Sequence, residues 1–195
     1  GIGRIALLDP DEPYYAVPAL EMLRSGSWLV PLFHGRPWFD KPVLFYWIVL
    51  GAFRVLGTTE LAARIGSSLA ALGGVLALFF HARRRVSPVD GSFAALLPAI
   101  VLATSLEYTI VARFAITDMT LTLFITLGMI AAQRFVESRH RLWVGLAGAA
   151  FGLASLTKGP VGLLLLVLAL AIWSVLARRG DFFRPAPLAV GTLAA

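Results

Sequence analysis

Residues 65–82, IGSSLAALGGVLALFFHA, contain no Asp, Glu, Lys or Arg. Four further stretches share this character, at 91–106, 119–133, 142–157 and 159–177. A membrane-crossing helix needs about 20 mainly apolar residues. Each stretch therefore supplies most of a span, and the shorter ones reach full length if end residues such as Glu107, Asp118 or Lys158 sit at an interface. Composition agrees: 58% of the 195 residues are hydrophobic and 14% are charged, against about one quarter charged in soluble domains. The expected fold class is all-α, a polytopic membrane helical bundle. Gly66, Ser67, Ala70 and Gly73 in one span, and Gly145, Gly148 and Gly152 in another, are expected to let helix backbones approach closely.

The net charge of +6 does not point to nucleic acid, which requires basic residues gathered on one soluble face. Here topology spreads them. Arg83, Arg84 and Arg85 follow the first span, Arg134, Arg139 and Arg141 the third, and Arg178, Arg179 and Arg184 the fifth. All three clusters are expected on one side, which the positive-inside rule makes cytoplasmic. Residues 1–60, the 107–118 connection and Lys158 then face outward. The absence of cysteine removes disulfides and thiolate metal sites. A start without Met and an apolar final stretch from 185 to 195 suggest a piece of a longer chain.

Ahead of the spans, residues 11–24 read as an amphipathic helix, with Pro13 in its first turn and Val17, Leu20 and Leu23 at helical spacing. Ser25-Gly26 ends it. Residues 28–39 read as an extended aromatic loop containing Pro31, His34, Pro37 and Trp38. A second helix is expected from about Pro42 to Leu56. With 12 uncharged residues between Lys41 and Arg54, it is too short to cross, so both helices are expected at the interface.

The charges around these helices carry the chemical readings. Asp9, Asp11 and Glu12 would repel one another, and a raised pKa on one suits a general base; the alternative is an ordinary acidic helix cap. Lys41, between Asp40 and Pro42, either offers a point charge to a phosphate or snorkels to headgroups. Arg113 and Asp118 either enter a cavity beside the first acids or pair with each other and fix a hairpin. Lys158, followed by Gly159-Pro160, is a cation on the disfavoured outer side, which favours an anionic partner over a topological marker. His34 offers either a metal ligand or a loop hydrogen bond. Asp9, Asp11, Glu12 and Asp118 together have the hard oxygen ligands that a divalent cation takes.

The order and spacing of these motifs resemble a known group. Asp11-Glu12 with Tyr15, Glu21-Met22-Leu23, Ser25-Gly26 with Trp28 and Pro31, and Phe39-Asp40-Lys41-Pro42 with Tyr46-Trp47 are similar to the first outer loop of polyprenyl-phosphate-sugar glycosyltransferases. The relatives are the bacterial aminoarabinose transferases that modify lipid A and the wider dolichyl-phosphate-mannose protein mannosyltransferase superfamily, of the GT-C fold. Ala112-Arg113, Asp118-Met119 and Thr157-Lys158-Gly159-Pro160 resemble later motifs of the same group.

The resemblance implies a membrane glycosyltransferase that moves a sugar from a polyprenyl-phosphate donor to a lipid, glycan or protein acceptor at the extracytoplasmic face of a bacterial inner membrane. It implies inversion, and no obligatory cofactor. Asp11 matches the catalytic aspartate and Asp118 the second acidic position. Lys41 matches the phosphate-binding lysine, with Glu12, Tyr15, Asp40, Arg113 and Lys158 as further substrate-binding candidates. Residues 1–195 would be the N-terminal part of one transmembrane domain, with 9–60 the first outer loop and 61–195 the transmembrane helices. Lipid A enzymes commonly carry Arg before the motif tyrosine and Glu before the lysine, where this chain has Tyr14 and Asp40, so the sugar is left open. Two rival readings are a secondary transporter, whose ionisable groups belong near mid-membrane, and a non-catalytic membrane subunit.

Overall fold

The computed structural model describes residues 2–8, 10–86 and 91–176. Eight helices and one two-stranded hairpin are found among them: α1 (Pro13–Ser25), β1 (Leu32–Phe33), β2 (Arg36–Pro37), α2 (Leu44–Leu56), α3 (Glu60–Arg83), α4 (Gly91–Thr104), α5 (Leu106–Val111), α6 (Asp118–Ser138), α7 (Arg141–Lys158) and α8 (Pro160–Leu176). The fold class is the all-α bundle expected. Asp9 and the Arg178, Arg179 and Arg184 cluster lie outside the described residues.

Helix α1 starts with Pro13 in its first turn and ends at Gly26, whose φ of 71° is the left-handed cap that glycine supplies most cheaply. It buries Tyr15, Ala16, Ala19 and Met22 against Phe45, Tyr46, Val49, Leu50 and Phe53 of α2. Ala62 and Ala63 of α3 complete this core, their small side chains letting the two short helices lie on the start of the long one. Thr59 caps α3, its hydroxyl accepting from Ala62 N at 3.2 Å, and Glu60 sits favourably in the first turn.

The aromatic loop folds further than expected. Leu32 pairs with Pro37 and Phe33 with Arg36 in an antiparallel hairpin, turned by His34 and Gly35 at φ 52° and 73°. Both oxygens of Glu21 on α1 grip the turn, accepting from His34 N at 2.9 Å and Gly35 N at 3.0 Å. His34 thus acts through its backbone N–H. Tyr14, Phe33 and Trp38 form a ring cluster over the hairpin, with Tyr14 stacked on Trp38 at 5.5 Å.

Among the described residues, α3 and α6 are both long and apolar enough to cross a membrane. The expected run at 91–106 is broken: α4 stops at Thr104, Ser105 is extended, and α5 restarts at Leu106. At 1.5 Å per residue the 14 residues of α4 cover about 21 Å, short of a hydrocarbon core of about 30 Å. The break lets Tyr108 turn into the bundle, where its hydroxyl donates to Ala71 O at 2.8 Å.

Small residues pack the long helices, but not all of those expected. Gly66 accommodates Ile48, and Gly73 faces Leu123. Gly145, Gly148 and Gly152 instead meet nothing within 4 Å; α7 turns Ala147, Ala150 and Ala154 inward. The tight contact between α6 and α7 is made by Gly128, whose missing side chain leaves room for the Phe151 ring. Leu69, Leu72, Leu76 and Phe80 of α3 point outward, as suits a helix solvated by lipid.

Arg85 and Arg134 both meet Glu137 at the ends of α3 and α6. The first two arginine clusters therefore share one end of the bundle. Helices α3 and α6 begin, and α7 ends, at the other.

Candidate functional site

The site end is framed by a buried ion pair. Glu12, 1% exposed, was expected either as a base or as a cap for α1, yet its side chain makes no cap hydrogen bond. Its two oxygens accept from Arg64 Nε and Nη2 at 2.7 Å each, from Leu8 N at 2.8 Å and from Ala115 N at 2.7 Å. Burial pushes its pKa up, but the Arg64 hydrogen bonds, the two backbone N–H groups and the guanidinium charge outweigh it, so the carboxyl lies below its ordinary value. Arg64 spends its remaining donors on the carbonyls of Ile2, Ile5 and Ala6. The Glu12 carboxylate is thus closed to solvent and occupied by four protein donors, and it frames the site.

Arg64 was not singled out from sequence. The signal was present: a cation at the very edge of the uncharged run 65–82 calls for an acidic partner. The partner, 52 positions away, was not identifiable without the fold.

Above this frame lie two cations. Lys41 sits in the segment joining β2 to α2, and Lys158 is the last residue of α7. Gly159, with φ 72°, turns the chain into α8 beside Pro42, which brings the two lysine-bearing segments together. Lys41 and Lys158 line one open cavity of about 390 Å³ with Asp40 and the apolar Leu29, Pro31 and Phe39. Lys41 Nζ meets Asp40 Oδ2 at 3.0 Å, and Lys158 Nζ meets Asp118 Oδ1 at 2.7 Å.

Tyr15 belongs to the same cluster. Its phenol, 9% exposed, is held above the usual pKa chiefly by burial, and it feels Lys41, Asp40 and Lys158 while Thr117 offers a hydrogen bond. Lys41 is held above the ordinary lysine value by its hydrogen bond to Asp40, with Coulombic support from Asp40, Tyr15 and Asp118. Tyr46, fully buried beneath, is pushed up by burial first and by Asp40 second. Thr120, in the first turn of α6, is a buried hydroxyl without a hydrogen-bond partner, and Thr117, just ahead of it, is buried beside the Tyr15 phenol. Sequence reasoning missed these hydroxyls, because a Thr at a helix start has no feature separating it from any other.

Two expected residues stand apart. Asp11 occupies the exposed turn four residues before Tyr15 and does not line the cavity. Arg113 is exposed in the turn between α5 and α6 and, among the described residues, makes no ion pair; Asp118 takes Lys158 instead. Nor do the acids converge on a metal: among the described residues no three His, Cys, Asp or Glu side chains gather closely enough to hold one.

Comparison with known proteins identifies the family and the fold. Residues 5–194 match the family profile described as dolichyl-phosphate-mannose-protein mannosyltransferase. The chain is 34% identical over 193 residues to the undecaprenyl phosphate-alpha-4-amino-4-deoxy-L-arabinose arabinosyl transferase of Edwardsiella ictaluri, covering 96% of this chain and 34% of that protein. A second such transferase, from Pseudomonas fluorescens, is 33% identical over 187 residues, covering 93% of this chain and 31% of that one. The crystal structure of ArnT from Cupriavidus metallidurans in the apo state matches with a TM-score of 0.81 at 28% identity, over 91% of this chain and 33% of that one. The same protein bound to undecaprenyl phosphate matches at 0.76 and 30% identity, over the same shares. The chain spans about a third of the length of these relatives. It is an integral membrane protein that shares the ArnT fold, and it belongs to the dolichyl-phosphate-mannose-protein mannosyltransferase family.

Proposed function

We propose that the complete protein is a glycosyltransferase that moves a sugar from a polyprenyl-phosphate donor to a lipid, glycan or protein hydroxyl. The observation that carries this reading is the pair of ammonium groups, Lys41 and Lys158, on one open cavity with apolar walls. Such a cavity suits a lipid monophosphate, whose head is anionic and whose tail is hydrocarbon. Phosphate is also the group whose charge grows as the sugar leaves, so cations fixed at that point stabilise the transition state more than the ground state.

In the reaction the acceptor oxygen forms a bond to the anomeric carbon as the bond to the phosphate oxygen breaks. The bonding electrons leave with the phosphate, facing Lys41 and Lys158. Asp11, whose carboxylate is solvent-accessible in the turn before α1, takes the acceptor's proton on the opposite face of the sugar, so the anomeric centre inverts. Tyr15 lies between these groups in sequence and beside Lys41 in space, where its phenol is a donor for a phosphate or sugar oxygen.

Orientation follows from charge. Arg83–Arg85, Arg134, Arg139 and Arg141 belong at the cytoplasmic side, which leaves the lysine cavity at the extracytoplasmic face of a bacterial inner membrane. Residues 9–60 then form the first outer loop and 61–195 the transmembrane part of a longer domain. The location of the ionisable groups at helix ends, with Asp118 first in α6 and Lys158 last in α7, favours this reading over a transporter, whose groups belong near mid-membrane. The complete protein is to be incubated with a panel of polyprenyl-phosphate sugars and acceptor lipids. Consumption of one donor with release of polyprenyl phosphate is expected; no consumption of any of them refutes the transferase.

A further inference from the structure

We propose that Asp118 is a positioning residue which holds Lys158 in the unliganded protein, surrenders it to the donor phosphate, and so becomes free to accept a hydrogen bond from a sugar hydroxyl. This deepens the reading of the cavity as a phosphate site and rests on it. Both ammonium groups of that site already face carboxylates, at 3.0 Å and 2.7 Å. The question is which of these contacts can open.

The Lys158–Asp118 contact has the character of an exchangeable pair. Each member has one partner among the described side chains, and the two are 30% and 44% exposed. The Glu12–Arg64 pair nearby is the contrast, with four hydrogen bonds on the carboxylate and almost no exposure. A half-solvated single pair shifts a binding equilibrium by about two- to fivefold. A phosphate between two ammoniums brings more charge and more acceptor oxygens, so it wins the competition.

Geometry decides which partner moves. Asp118 is the first residue of a 21-residue helix, whereas Lys158 carries its charge on a flexible four-carbon stem and already lines the cavity. The ammonium swings and the carboxylate stays. Left behind, Asp118 is not a stranded charge, because the positive end of α6 stabilises an anion in its first turn. Lys41 and Asp40 are chain neighbours, so departure of the ammonium there separates the pair much less.

The test titrates undecaprenyl phosphate into the complete protein in lipid nanodiscs. Asp118→Asn is expected to bind the lipid phosphate about two- to fivefold tighter than wild type, because the competing anion is gone. Lys158→Met is expected to bind it more weakly. The double variant should match Lys158→Met, since the gain requires the lysine. With donor sugar present, Asp118→Asn should lower kcat without raising KM, a split that a purely structural tie would not produce. Asp118→Ser, which also suits a helix start, must show the same tightening. Equal or weaker binding by both Asp118 variants, while wild type binds, overturns the proposal alone. Failure of wild type to bind undecaprenyl phosphate overturns the phosphate reading of the cavity as well.

Discussion

Arg64 and Glu12 join the first long helix to the turn that carries Asp11 through two hydrogen bonds of 2.7 Å, in a pair almost closed to solvent. Removing one partner leaves the other charge buried and uncompensated, which costs about 3–5 kcal/mol. Arg64→Met and Glu12→Gln are therefore both expected to lower the midpoint of thermal unfolding sharply. The double variant should be less damaged than the sum of the singles; additive losses in a double-mutant cycle would contradict the pairing.

The same pair sets a pH dependence. The Glu12 carboxyl is held below its ordinary value of 4.5 in the folded state. Its contribution to stability is complete above that ordinary value and is lost as the pH falls through the lower folded one. Unfolding midpoints measured from pH 7 downward should stay level from this group until about pH 5 and then decline, and Glu12→Gln should flatten the decline. An unchanged slope in that variant would assign acid sensitivity to other groups.

Loss of the Lys41 ammonium removes a charge-assisted contact to the donor. Such contacts contribute about 1.5–3 kcal/mol, so Lys41→Met should weaken binding of a polyprenyl phosphate by about 10- to 100-fold. Lys41→Arg should restore part of it. Direct titration of the lipid phosphate checks both, and wild-type affinity in Lys41→Met would remove this residue from the donor site.

Asp11 is solvent-exposed, so exchanging its carboxylate for an amide should leave folding unchanged. With the proton acceptor gone, Asp11→Asn is expected to slow sugar transfer by about 10²- to 10⁴-fold while donor binding persists. Turnover at the wild-type rate would refute the assignment of the base.

Two glycines test the packing of α7. Gly128→Leu collides with Phe151 and should destabilise the α6–α7 contact by about 1–3 kcal/mol, with partial rescue by Phe151→Ala. Gly145→Ala meets open space and should be neutral or stabilising by up to about 1 kcal/mol. Thermal melts in one detergent compare them directly.

The long helices were legible because the absence of charge over 15 or more residues has one physical reading, and residues 65–82 and 119–133 fall within α3 and α6. Pro13, Gly26 and Gly57 punctuated the two short helices for equally local reasons. The break at Ser105 was not legible, because Thr104, Ser105 and Leu106 are as compatible with a continuing helix as with a corner. Among the site residues, Tyr15, Asp40, Lys41, Asp118 and Lys158 gather in the structure; the four charged ones were legible as charges bordering apolar runs, and Tyr15 through the resemblance alone. Pairing was another matter. Whether Asp118 takes Arg113 or Lys158, and whether Glu12 caps α1 or answers Arg64, depends on contacts across 40 and 52 positions, which no local pattern encodes.

The guanidinium of Arg64 holds the opening segment by the oxygen atoms of Ile2, Ile5 and Ala6. Those atoms are the same whatever side chains the three positions carry. Ile2, Ile5 and Ala6 are therefore gripped by their path rather than their spelling: a new side chain at any of the three leaves the gripped atoms in place, whereas loss of the Arg64 guanidinium lets all of them go.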